Sequence, residues 1–346
     1  MSDLASQTQM HKEALEAPER VAEFLAARRD NLMPVVQAIR DFGPRFVVTC
    51  ARGSSDHSAT YAKYLVEKKL GLPVVSHAPS MSSVFEQPLN FDGALFVAIS
   101  QSGGSPDLIK SAEMAGAGGA MTIAFVNATG SKLAEVCDHV VPLMAGPETS
   151  IAATKSYIAS LTAVASLVAE LAEDLALKEA LLHLPAHLKQ AAGLDWSAAK
   201  QALIDASNFY VVARGLGLGI AQETALKFKE TSGLHAEAFS AAEVRHGPMA
   251  LVKHGFPILM YAPSNAASLS FLEAAEQAVE AGASVLSVGA DIKGAKAVLP
   301  TVDDVHPALA PITMIQSFYP MVNALSIERG YDPDKPPQLR KVTETL

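Results

Sequence analysis

The sequence predicts an α/β protein built from two similar lobes, each with a parallel sheet, and three observations lead there. Short apolar runs of strand length, at 46–50, 95–100, 121–127 and 139–143, alternate with longer runs of helical periodicity, the pattern of parallel strands joined by crossover helices. One of these runs ends in Ser100-Gln101-Ser102-Gly103-Gly104-Ser105-Pro106, so a strand, a small-residue loop and a helix start follow one another. The third observation is a repeat. Arg214-Gly215 stands 162 positions after Arg52-Gly53, each pair closing an apolar run. The same offset carries the strand ending at Ser100 onto Ile258 to Tyr261, and Met121 to Asn127 onto Ala283 to Gly289. One offset shared by three strands is the mark of a duplicated domain.

Taken in order, Gln9 to Ile39 reads as helix, with Glu13, Glu16, Arg20 and Glu23 on a polar face and Leu15, Val21, Phe24 and Leu25 apolar. Phe42-Gly43-Pro44 stops it. Phe46 to Cys50 is a buried strand, followed by a loop through Arg52, Gly53, Ser54 and Ser55 and a helix from His57 to Lys69 that ends at Gly71 and Pro73. Val74 to Ser76 is a short strand, Phe85 lies in a loop or helix, and Leu95 to Ser100 is the central strand. A helix opens at Leu108, and the strands Met121 to Asn127 and His139 to Leu143 complete the first lobe. A long Ala/Leu-rich helix begins at Lys155, and Leu184-Pro185 is the expected linker. The expected organisation is therefore an N-terminal helical segment over 1–34, a first lobe over 35–184 and a second over 185–346.

Composition narrows the function classes. The formal charge is −9, which argues against nucleic acid or an anionic membrane as partner while leaving room for a local anion pocket. Apolar residues are 49% of the chain and charged ones 18%, as expected of a packed protein rather than a disordered one. Cys50 and Cys137 have no metal spacing and read as reduced thiols, which fits a cytoplasmic location. No signal-peptide pattern opens the chain. Ile158 to Leu171 is too short and too polar to span a bilayer.

Two stretches carry chemistry. In the loop after the central strand, hydroxyls at Ser100, Ser102 and Ser105 can donate to phosphoryl oxygens, the glycines permit close approach, and the following helix start offers backbone N–H groups and a favourable dipole. The repeat assigns anion binding to the first lobe, because at the same offset the second has Ala262-Pro263-Ser264-Asn265 and no glycines. The second stretch is Ala221 to Gly233, a helix with Glu223, Lys227 and Glu230 on one face. It is followed by His235, Glu237, Glu243, Arg245 and His246-Gly247-Pro248. An isolated Glu-Lys-Glu row is usually a solvated salt-bridge face; the loop of His, Glu and Arg that follows suggests more. Metal binding by His235, Glu237 and His246 lacks any supporting helix pattern.

These motifs together resemble the sugar isomerase (SIS) family, in particular the two-SIS isomerase half of glucosamine-6-phosphate synthase. The stretches that carry the resemblance are Gly53-Ser54-Ser55, Ser100-Gln101-Ser102-Gly103, Ala152-Ala153-Thr154-Lys155, Ala225-Leu226-Lys227-Phe228-Lys229-Glu230, His235 to Pro248 and Leu339-Arg340-Lys341-Val342-Thr343. It covers nearly the whole chain from about Met10. The resemblance implies two tandem SIS domains, each a three-layer α/β/α sandwich. It implies phosphate and sugar contacts from Gly53, Ser54, Ser55, Ser100, Gln101, Ser102, Ser105 and Thr154. Glu230 is implied as the base that moves a proton between carbons 1 and 2, and His246, reaching a neighbouring subunit's site, as the ring-opening residue. Lys341 on the tail is implied as an imine-forming lysine, and Lys227 as a charge-balancing neighbour of Glu230. The sequence departs from the synthase pattern at Gly104, where a Glu is expected, and it has no stretch resembling the glutaminase half. The expectation is accordingly a glucosamine-6-phosphate deaminase acting on a hexosamine or ketohexose 6-phosphate, a homodimer needing no cofactor and no metal. Another SIS isomerase, a fructosamine-phosphate deglycase and a non-catalytic sugar-phosphate sensor are the alternatives.

Overall fold

The computed structural model describes residues 2–263, 268–339 and 341. They form two compact units, one of residues 19–148, 155–183 and 341, the other of residues 2–18, 149–154, 184–263 and 268–339.

Three helices, α1 (Ser2–Gln7), α2 (Gln9–Asn31) and α3 (Met33–Phe42), precede the first strand. The single helix expected over Gln9 to Ile39 is thus two, because Pro34 opens α3 in its first turn, where its missing N–H is not needed. Gly43 closes α3 in the left-handed conformation, φ 64°, and its N–H bonds Ile39 O at 2.9 Å.

The first sheet comprises β1 (Phe46–Ala51), β2 (Val74–Ser76), β3 (Ala94–Ser100), β4 (Met121–Val126) and β5 (His139–Pro142). The intervening helices are α4 (Ser54–Leu70), α5 (Ser80–Ser83), α6 (Pro106–Ala117) and α7 (Lys132–Val136), with α8 (Lys155–Leu171) after β5. Strand order is β2-β1-β3-β4-β5, every pair parallel. Side chains alternate across the pleat. Val48, Cys50, Phe96, Ala98, Ala124 and Val126 cluster with Leu108, Ala112 and Ala115 of α6 and Leu133 of α7. Val47, Thr49, Leu95, Val97 and Phe125 instead meet Ala62 and Val66 of α4 and Val164, Leu167 and Val168 of α8. Both faces are covered, which makes three layers. Helix α8 is buried along Lys155–Ala169, and two of its hydroxyls turn onto its own carbonyls, Ser160 Oγ to Tyr157 O at 2.8 Å and Thr162 Oγ1 to Ile158 O at 2.9 Å. Among the described residues no helix is long and apolar enough to cross a membrane.

The second sheet follows α9 (Leu175–Ala192) and α10 (Ser197–Leu203) and comprises β6 (Asn208–Ala213), β7 (His235–Ser240), β8 (Pro257–Tyr261), β9 (Ser284–Val288) and β10 (Ala297–Leu299). Its helices are α11 (Leu218–Ser232), α12 (Ser268–Glu280) and α13 (Ala310–Glu328). Its order, β7-β6-β8-β9-β10, is again parallel throughout and matches the first sheet strand for strand. On one face Tyr210, Val212, Ile258 and Met260 pack on Phe271, Ala274, Ala275 and Ala278 of α12. On the other, Phe209 meets Phe228 of α11 edge to face at 4.7 Å, and Phe228 meets Phe318 of α13 at 5.1 Å. The repeat at offset 162 is therefore a structural duplication.

Three local expectations change. The stretch from His235 to Phe239, read as loop, is the edge strand β7; Ala236 is buried while His235 and Glu237 are exposed, the alternation of a half-buried strand. Leu184-Pro185, expected as a linker, lies inside α9. Glu13, placed on a polar face, has no exposed surface. Ser264 and Asn265 lie outside the described residues.

Candidate active site

In the unit of the first sheet, β1 and β3 are neighbours whose following helices leave toward opposite edges, α4 toward β2 and α6 toward β4. That is the switch point of an open parallel sheet, where ligands bind beyond the strands' carboxyl ends. The two loops there are the sequence-predicted ones. Gly53, at φ 54° and ψ −132°, opens the 17-residue helix α4, with Ser54 and Ser55 partly exposed in its first turn. Ser100, the last residue of β3, accepts the Gly103 N–H on Oγ at 3.0 Å, and Ser102 Oγ accepts the Gly104 N–H at 3.3 Å. Each hydroxyl acts here as an acceptor and still carries a proton it can donate. The turn is pinned from beneath: Gln101 O accepts Asn127 N and Ala128 N, both at 3.3 Å, and Gly103 O accepts Leu133 N at 3.1 Å. Gly103 is required on two counts, φ 62° and a Ser131 Oγ only 2.0 Å from where a Cβ would sit. Ser105 is the extended residue that caps α6, with Pro106 behind it.

The sequence reading missed what joins these loops. Arg52, just beyond β1, donates from Nε to Asp107 Oδ2 at 2.8 Å, with Nη2 2.7 Å from the same oxygen. Asp107, in the first turn of α6, has no exposed surface, and its Oδ1 accepts the Leu108 N–H at 2.9 Å. No local periodicity pairs residues so far apart in the chain. The tail residue Lys341 lies in this unit too, its Nζ 3.4 Å from Oε2 of the buried Glu148. Glu148 also accepts Ser156 N at 3.1 Å and the Ser156 hydroxyl, so it caps the start of α8. Of the tail motif, Arg340, Val342 and Thr343 lie outside the described residues.

In the unit of the second sheet, the Glu223-Lys227-Glu230 row on α11 is not a solvated face. The Glu223 side chain is 0% and the Lys227 side chain 1% exposed, against 19% for Glu230. Lys227 Nζ lies 3.4 Å from Glu223 Oε1 and donates to Glu230 Oε2, and Tyr319 Oη donates to Glu223 Oε1 at 3.4 Å. A dry ammonium is thus held against a partly open carboxylate. Glu230 lines a cavity of about 370 Å³ together with Leu226, Lys229, Gly233, Tyr331, Pro337, Gln338 and Leu339. Gly233 ends α11 at φ 60°, and a Cβ there would sit 2.2 Å from Tyr331 Oη, so this wall is shaped by the absence of a side chain. Tyr331 is a wall residue that no sequence motif announced.

The remaining sequence-predicted residues fall as follows. Thr154 is buried immediately ahead of α8, in the segment Thr149–Thr154. That segment is held by Glu13, whose carboxylate accepts Thr149 N at 2.5 Å, Ser150 N at 3.1 Å and both hydroxyls. Burial alone would raise the Glu13 carboxyl, but these bonds from Ser150 and Thr149 outweigh it and hold it below its ordinary value. His246 is exposed at the end of the short turn Glu243–Arg245. Burial pushes the Cys50 thiol up to about 12, which makes it an inert core residue. Among the described residues no group of three or more His, Cys, Asp or Glu could hold a metal ion.

A family model for the SIS domain matches residues 44–170 and 202–291, more than half of the chain and both of the duplicated lobes. The chain belongs to the SIS domain family. This SIS protein is 31% identical over 346 residues to the isomerising glutamine–fructose-6-phosphate aminotransferase of Thermococcus kodakarensis, covering 96% of the chain and 57% of that enzyme. To the aminotransferase of the same name from Methanothermobacter thermautotrophicus it is 33% identical, covering 96% and 56%. The chain spans a little over half the length of these relatives, and it is homologous to their isomerase domain. Among solved structures it is similar to one from Silicibacter pomeroyi, provisionally assigned as a phosphosugar isomerase, at 42% identity and TM-score 0.90 over 94% of this chain and 100% of that one. The C-terminal domain of a Francisella tularensis glucosamine-fructose-6-phosphate aminotransferase gives 26% identity and TM-score 0.86 over 95% and 98%. A Thermotoga maritima glucosamine-6-phosphate deaminase, at 22% identity and TM-score 0.78 over 98% and 100%, shares the fold.

Proposed function

We propose that this SIS protein is an isomerising glucosamine-6-phosphate deaminase, converting glucosamine 6-phosphate and water to fructose 6-phosphate and ammonia. The observation that carries this reading is the Lys227–Glu230 pair: a desolvated lysine against a carboxylate that keeps an open edge is the apparatus of proton transfer and not of a surface ion pair. We assign the phosphate and sugar contacts to Gly53, Ser54, Ser55, Ser100, Gln101, Ser102, Ser105 and Thr154, with the serine loop at the first sheet's switch point at their centre. The aminotransferase relatives support the substrate class.

The chemistry runs as follows. His246, contributed by a second copy in a homodimer, assists opening of the pyranose, which exposes an aldehyde at carbon 1 and acidifies the proton on carbon 2. Glu230 takes that proton, giving an enolamine, and returns it to carbon 1, while Lys227 holds the carboxylate in place. The resulting carbon-2 imine adds water and expels ammonia. Lys341 is assigned the role of forming an imine with the open-chain carbonyl, releasing a water that hydrolysis of the imine takes back up. Water is the only co-reactant, and binding energy from the remote phosphate orients the reacting carbons.

The test is release of ammonia and fructose 6-phosphate from glucosamine 6-phosphate by the parent and by Glu230→Gln, with sugar-phosphate binding measured separately by calorimetry. Glu230→Gln is expected to keep binding and lose turnover by roughly 10²–10⁴-fold. No ammonia from the parent, or an unimpaired Glu230→Gln, would overturn the reading.

A further inference from the structure

The Arg52–Asp107 bridge has no place in the scheme above, and it stands where the two phosphate loops meet. Asp107 puts a fully buried negative charge into the first turn of α6, the helix whose start is proposed to receive a phosphate dianion. Left alone, that charge would oppose the ligand. Arg52 cancels it from the neighbouring loop, using Nε at 2.8 Å and Nη2 at 2.7 Å on one carboxylate oxygen. The Arg52 side chain nevertheless remains 49% exposed. A guanidinium has five N–H donors, so a hold by these two nitrogens on one oxygen leaves donors over, in a fixed plane suited to phosphate.

The duplication separates this role from a role in the fold. The second lobe keeps the arginine, Arg214, but at the same offset Asp107 becomes Leu269, which is 70% exposed. Both sheets form the same five-stranded topology, so the fold does not require the bridge. The bridge occurs in the lobe that carries the Ser100–Ser105 loop.

We propose that Arg52 is a further phosphate-binding residue of this SIS protein, aimed and charge-balanced by Asp107, which acts as a positioning residue. The proposal rests on the assignment of the phosphate site to the first lobe and is independent of whether the reaction is deamination. It concerns the phosphate of a sugar phosphate and not its sugar ring.

The test measures binding of glucosamine 6-phosphate, of unphosphorylated glucosamine and of inorganic phosphate by calorimetry on the full chain, with thermal melts alongside. Arg52→Gln is expected to weaken both phosphate-bearing ligands about tenfold or more and to leave any glucosamine binding unchanged. Arg52→Lys keeps the charge without the fork and is expected to fall between parent and Arg52→Gln. The double variant Arg52→Gln/Asp107→Asn also removes the negative charge that Arg52 no longer offsets and is expected to bind phosphate more tightly than Arg52→Gln alone. A merely structural arginine predicts the opposite ordering: unchanged phosphate binding at a lowered Tm, or equal loss for phosphorylated and unphosphorylated ligands. Either result overturns the proposal. If the parent binds sugar phosphate through Arg52 yet releases no ammonia, the deaminase reading fails and this inference stands.

Discussion

The buried charge row on α11 gives the sharpest quantitative expectation. In Lys227→Met the side chain keeps its length and apolar stem, but the ammonium between Glu223 and Glu230 is gone. Glu230, with 19% of its side chain exposed, can turn to water. Glu223, with none exposed, cannot, although groups such as the Tyr319 hydroxyl at 3.4 Å stay against it. Removing one partner of a buried ion pair costs about 3–5 kcal/mol, because an uncompensated charge is left behind. At about 2.1 cal/mol/K of unfolding entropy per residue, that corresponds for this chain to a fall of about 4–7 °C in Tm. The diagnostic is the double variant Lys227→Met/Glu223→Gln, which neutralises the stranded group. It should recover most of the lost Tm while ammonia release stays abolished, since Glu230 still lacks its cation. Differential scanning calorimetry with a coupled ammonia assay reads both quantities. A single variant melting within about 2 °C of the parent, or a double variant no more stable than the single, would refute the claim that the row is desolvated.

Two further expectations test other parts of the molecule. Ser102→Ala removes a hydroxyl donor to a charged oxygen, a loss of about 1.5–3 kcal/mol, so sugar-phosphate affinity should fall tenfold or more with Tm near that of the parent; unchanged affinity in a titration would count against the serine loop. The depressed Glu13 carboxyl adds stability that is present above its ordinary value of 4.5 and is lost as pH falls through its lower folded value. Glu13→Gln should therefore be less stable at neutral pH and show a flatter decline of Tm on acidification, and equal acid slopes would exclude that linkage.

Much of the architecture was legible because it follows from short-range pattern. Apolar runs of strand length between helical stretches specify parallel strands buried on both faces, and the Arg52-Gly53 and Arg214-Gly215 pairs at one offset disclosed the duplication that β1 and β6, β3 and β8, and β4 and β9 then displayed. The serine–glycine loop was readable for the same reason, since its chemistry lies in consecutive residues. Boundaries and one strand were less so. Period-2 alternation in His235-Ala236-Glu237 is brief and mixed with charge, so an edge strand looks like a loop until β6 lies beside it.

What the sequence by itself determined, then, is the class of fold, its doubling, and which loop offers hydroxyls to an anion. The tertiary structure alone decided which charges are dry. Glu13, Glu223 and Lys227 have the helical spacing of solvated residues, and spacing within one helix carries no information about what covers it. Their burial depends on partners distant in the chain: Thr149 and Ser150 for Glu13, Tyr319 for Glu223. The same holds for Arg52 with Asp107 and Lys341 with Glu148, pairs brought together by strand order and by the path of the tail. A charge in water and a charge in a protein interior differ in energy by several kcal/mol, and that difference, on which the proposed chemistry rests, exists only once the chain has folded.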